Sequence, residues 1–216
     1  MTREELSKVA KPILFNTEMV QAILDGRKTC TRRIVKPQPI IKNDGNIDGV
    51  KPQVIYTSWK NFINHEAPYQ AGDILYVRET WKIQSMSNSD KRIKFMYRAN
   101  GNKDLETRYV ADDRYKELLK YESKNGWQPS LFMPKTAARI FLKVTDVRVE
   151  RLQDITKDYN NFNKEGIKEE HGFRSEMHRD FIELWKSTIK KQDLDQYGWE
   201  ANPFVWVIEF ERVEVE

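Results

Sequence analysis

Between Gly26 and Lys36 the chain carries five cations, Arg27, Lys28, Arg32, Arg33 and Lys36, and no acid. Cations this dense contact phosphate oxygens or base edges when they face a nucleic acid. On a solvated strand edge the same residues only discourage pairing with another chain. A second group lies at Arg78, Glu79 and Trp81. In an extended segment Glu79 shares a face with Leu75, Val77 and Trp81, and a carboxylate on an apolar face is either ion-paired or functional. Trp81, Trp127 and Tyr69 offer rings that can stack on a base, although core packing is the commoner role of such rings. His171 and His178 stand seven positions apart, roughly 10 Å along a helix, too far to share an ion. With Cys30 as the single cysteine there is no zinc-site pattern and no intrachain disulfide. No phosphate-cradling glycine loop is present. No metal and no cofactor are therefore expected.

Lys11–Phe15 reads as a short strand, and Asn16 or Thr17 caps a helix reaching about Asp25, with Met19, Ile23 and also Val20 and Leu24 inward. Gly26 stands where a helix commonly ends in a left-handed residue. Lys28–Val35 is β-branched and alternating, as in a strand. Residues 36–70 read as a long loop with a short helix near Ser58–Asn64. Asp73–Trp81 is expected as one strand paired with Lys91–Ala99. Arg114–Glu122 reads as a helix, Gly126–Lys135 as irregular, Arg139–Leu152 as a long strand, and Asp154–Gly166 as a helix. Ser175 caps a helix to about Lys190, and Pro203 opens a last strand in which Phe204, Trp206, Ile208 and Phe210 share a face. Strands that do not alternate regularly with helices argue against a doubly wound sheet. The expected class is α+β, a mixed barrel of about five or six strands flanked by helices.

The chain has 216 residues, 37 basic against 33 acidic, for a net charge of +4. That suits a single domain with insertions near 36–70 and 100–135, and it is too small an excess for a general nucleic-acid coat. No stretch approaches a membrane span, so a cytoplasmic, soluble protein is expected.

Gly26-x-Lys28-x-x-Thr31-x-Arg33 resembles the signature of ASCH domains, small PUA-like β-barrels whose common form is Gly-x-Lys-x-x-Glu-x-Arg. Thr31 stands where many members carry Glu, as in the bacterial N4-acetylcytidine amidohydrolases of that superfamily. Gly72-Asp73-Ile74-Leu75-Tyr76-Val77-Arg78-Glu79 is similar to the family's second strand, and Trp206-Val207-Ile208-Glu209-Phe210 to its last. The longer layout, with Met133-Pro134-Lys135 and Val147–Leu152, resembles phage-type ASCH proteins. The resemblance implies a PUA-like barrel in which Thr31 is the nucleophile, Lys28 its base, and Glu165 a proton shuttle, with Glu169 and Glu170 as alternatives to Glu165. In a regular strand, residues three apart face opposite ways, so Lys28 and Thr31 converge only across a turn or bulge starting at Gly26. The implied reaction removes an acyl group from the exocyclic nitrogen of a cytosine nucleoside or nucleotide.

A second function is open, a non-catalytic module gripping RNA or modified nucleic acid through Arg27, Arg32, Arg33, Arg78, Glu79 and Trp81. A third is a partner-binding accessory protein using the 100–135 insertion.

Overall fold

The computed structural model describes residues 1–49, 54–101, 105–122, 126–168 and 174–215. The chain opens with α1 (Arg3–Val9), β1 (Lys11–Leu14), α2 (Thr17–Leu24) and β2 (Cys30–Ile34). Three short strands follow, β3 (Ile40–Ile41), β4 (Ile47–Asp48) and β5 (Ile55–Tyr56), then α3 (Trp59–Glu66). The middle holds β6 (Ile74–Arg78), β7 (Trp81–Ser87), β8 (Arg92–Tyr97), β9 (Leu105–Tyr109) and α4 (Asp112–Glu122). The last stretch holds β10 (Phe141–Arg151), α5 (Asn160–Lys164), α6 (Arg174–Ser187), α7 (Leu194–Tyr197) and β11 (Phe204–Val213). This is a mixed α+β protein, and among the described residues no sheet closes on itself.

Two compact units divide the chain. The first comprises Met1–Asp25, Ile74–Leu142 and Arg212–Glu216; the second comprises Gly26–Asp73 and Lys143–Glu211. In the first, β1 and β6 pair in parallel, Ile13 opposite Val77, and β7, β8 and β9 form an antiparallel sheet. Leu6, Trp81, Ile93, Phe95, Tyr97 and Phe141 lie in its core. In the second, β10, β11 and β2 lie side by side, with Ile208 opposite Thr31 in the antiparallel β11–β2 ladder. Its core gathers Cys30, Phe162, Phe181, Trp185, Val205 and Val207.

Several expectations change. The strand expected over 73–81 is two strands, because Glu79 N–H turns to Met133 Sδ at 3.2 Å and Thr80 O accepts from Arg98 N–H at 3.0 Å. The stretch 36–70 is not one loop: β3, β4 and β5 form a small antiparallel sheet within it, and its helix is capped by the Ser58 side chain. The helix expected over 154–166 is a 3-10 stretch, Leu152–Lys157, followed by the short α5. On α2 the fully buried positions are Val20, Ala22 and Ile23, whereas Met19 and Leu24 are only half-buried.

Candidate functional site

The site is built where the start of β2 meets the end of α5, inside the second unit. Gly26, at φ +75, turns the chain. Thr29 is then held on both sides, its N–H donating to Lys164 O at 2.9 Å and its carbonyl accepting from Phe210 N–H at 2.9 Å. Lys28 therefore precedes the strand rather than lying in it. On the other side, α5 stops in a Schellman turn. Ile167 N–H donates to Phe162 O at 3.1 Å and Gly166 N–H to Asn163 O at 2.8 Å, with Gly166 at φ +90. Ile167 and Phe162 meet in the same core, as that motif favours. Glu165 caps the helix at this turn.

Lys28 reaches this cap with all three of its N–H donors. Its Nζ donates to Glu165 Oε2 at 2.9 Å, to the Glu165 backbone carbonyl at 2.8 Å and to the Cys30 carbonyl at 2.7 Å. Arg32 Nη1 donates to the other carboxylate oxygen, Glu165 Oε1, at 3.0 Å. The three side chains are 2% (Lys28), 1% (Arg32) and 5% (Glu165) exposed. Two cations and one carboxylate are left to be balanced, and Glu150 does so, its Oε2 lying 3.3 Å from Arg32 Nη2. The alternation of charge continues outward, with Arg148 donating to Glu150 Oε1 at 2.6 Å and to Glu209 Oε1 at 2.8 Å. Arg32 Nε–H is buried and has no acceptor among the described residues. Cys30 Sγ lies 4.0 Å from Glu165 Oε1; burial, then the Glu165 charge, push its thiol up to about 12.

The residues expected from sequence divide between places. Lys28, Arg32 and Glu165 come together. Thr31 does not join them: Cys30 and Arg32 face Glu165, so alternation puts Thr31 on the opposite face of β2, buried at 5%. Gly26 supplies the turn that convergence demanded, but the turn carries Lys28 toward α5. Arg27 is half-buried and donates to Gly166 O at 2.8 Å. Arg33 is half-buried beside Tyr69, and burial lowers its pKa. Lys36 sits over the Tyr197 ring at 4.3 Å. The basic segment is thus engaged within its own unit rather than displayed as a comb of free charges. Glu169 and Glu170 lie outside the described residues.

Arg78, Glu79 and Trp81 belong to the first unit. Glu79 is 1% exposed and pairs with Arg139 through two bonds, at 2.8 and 2.9 Å. Burial raises its carboxyl pKa, and Arg139 opposes that. Arg139 also lies 4.1 Å from the Tyr97 ring centroid. The carboxylate on an apolar face is therefore an ion-paired one. Trp81 is fully buried against Phe95 and Tyr121, which leaves no ring face for a base. Arg78, half-buried, ends β6.

Sequence reasoning missed Arg139, Glu150 and Arg148. Strand alternation places Arg148 and Glu150 on one face of β10, a usable signal; nothing local links Glu79 to a partner sixty positions away. Among the described residues no group of three or more His, Cys, Asp or Glu is arranged to hold a metal ion, and no helix is long and apolar enough to cross a membrane. Comparison with family models, with curated proteins and with solved structures found no match.

Proposed function

We propose that the second unit carries a hydrolytic site of the ASCH kind, on a PUA-like barrel scaffold, that removes the acyl group from N4-acylated cytosine nucleosides or nucleotides. One observation carries this reading: Lys28 and Glu165, 137 positions apart, form a buried pair at 2.9 Å. A buried Lys–carboxylate pair is a route for a proton. Transfer from Nζ to Oε2 leaves a neutral amine and a neutral acid, which then act as base and acid on an amide. As water adds to the acyl carbon it gives a proton to Nζ; the C–N bond breaks as N4 takes the Oε2 proton and leaves as the free amino group, the acyl group departs as the carboxylic acid, and the Lys28–Glu165 ion pair is restored. Arg32 Nε–H, without an acceptor among the described residues, is the donor we assign to the acyl oxygen, where negative charge develops.

Thr31 receives no such support, since it lies on the other face of β2. Its role separates by experiment. Wild-type protein is expected to turn over N4-acetylcytidine, followed by the change in nucleoside absorbance. Loss of turnover in Thr31→Ala assigns the attacking oxygen to the threonine hydroxyl, and retention assigns it to water. Absence of wild-type turnover on both the nucleoside and the nucleotide contradicts the reading.

A further inference from the structure

We propose that the outer face of the β7–β8–β9 sheet, in the first unit, binds single-stranded nucleic acid. The antiparallel register aligns three cross-strand rows on this face, Lys82–Met96, Ser85–Lys94 and Ser87–Arg92, of which Met96 is itself buried. β9 extends them with Leu105, Thr107 and Tyr109. Each row contributes one cation, and none contributes an acid. The inner face carries Trp81, Phe95 and Ile93 into the core, and Glu106 lies on that side, opposite Phe95. Among the described residues, Asp90 in the hairpin turn lies 3.5 Å from Arg92 Nε.

Two aromatic rings border these charges. Tyr109 ends the last row with 70% of its surface exposed. Lys82 Nζ stands 5.0 Å from the Trp127 ring centroid. Same-face residues on one strand are about 6.6 Å apart and neighbouring strands about 4.8 Å apart. The face therefore sets three positive charges at short intervals, with the exposed Tyr109 ring at one margin and the Trp127 ring, already covered on one side by Lys82, at another. A polyanion whose bases are unstacked uses both features: phosphates meet the cations and bases stack on the rings. A duplex keeps its bases stacked, and an acidic protein surface meets the cations but has no use for an exposed Tyr109 ring. The proposal rests on the first unit alone and stands apart from the chemistry assigned to the second.

Fluorescence anisotropy of labelled 20-nucleotide oligo-dT and oligo-U with the full chain tests it. Binding is expected to weaken with salt at a log–log slope of about −2 for three cations on a single strand. Tyr109→Ala is expected to weaken binding about 5- to 100-fold. Arg92→Ala with Lys94→Ala is expected to flatten the slope by about 1.4. These side chains lie at the surface, so unchanged melting temperatures confirm that the variants are folded. No binding by wild type overturns the proposal, as does equal affinity in all variants. Equal competition by polyglutamate, with Tyr109→Ala unchanged, assigns the face to acidic protein and also overturns it.

Discussion

Removing one member of a buried ion pair strands the other, and this governs what substitutions at Lys28, Arg32 and Glu165 do. Glu165→Ala leaves two buried cations facing each other without their shared carboxylate. It is expected to cost about 3–5 kcal/mol of stability, readable as a lower urea midpoint. A neutral variant of similar shape, Glu165→Gln, keeps an acceptor for one donor and is expected to cost less. Cys30 adds a pH signature. Its thiol rises from an ordinary 9.0 to about 12 in the folded chain. Between those values the folded state keeps a proton that the unfolded state releases. Stability from this group is thus fully present below pH 9 and is lost as pH rises toward 12. Cys30→Ala is expected to remove that part of the alkaline slope in pH-dependent urea unfolding. An unchanged slope places the titration elsewhere.

The two ends of the site are held by helix-stop chemistry. Gly26 and Gly166 both adopt positive φ; Lys28 comes after the first turn, and Glu165 comes just before the second. A Cβ on Gly26 meets no atom within 4 Å, so Gly26→Ala is penalised by backbone conformation alone, about 1 kcal/mol. Because Lys28 lies two residues further on, the variant is expected to lower activity by more than that stability loss explains. Equal turnover in the variant and wild type contradicts the positioning role. Phe162, fully buried, anchors α5 through the Schellman contact. Phe162→Ala is expected to cost about 3–5 kcal/mol, measured as a drop in melting temperature. The Asn16 cap, the stop at Gly26 and the strand faces of β11 were legible, since caps and alternation are local rules. The α1 helix carries a local signal as well, the Thr2–Glu5 capping box. The break between β6 and β7 was not legible, because it depends on Met133 and Arg98, which are remote in sequence.

For the molecule as a whole, a net charge of +4 says little; what matters is where charges go. In each unit a buried carboxylate takes Arg: Glu79 with Arg139 in the first, Glu165 with Arg32 and Lys28 in the second. Sequence could supply the candidates but not the pairing, since burial and partner are decided by tertiary packing. Lys28 illustrates the point. By resemblance it reads as the base for Thr31, whereas its side chain caps the carbonyl at the end of α5. The five-cation run likewise reads as a nucleic-acid contact, whereas Arg27, Lys28 and Arg32 bond to groups of their own unit. The measurement that bears most directly on the central claim is kcat/KM for N4-acetylcytidine in Glu165→Gln against wild type, with folding verified by circular dichroism. On the proposed mechanism a fall of about 10²- to 10⁴-fold is predicted; a value equal to wild type contradicts the Lys28–Glu165 site.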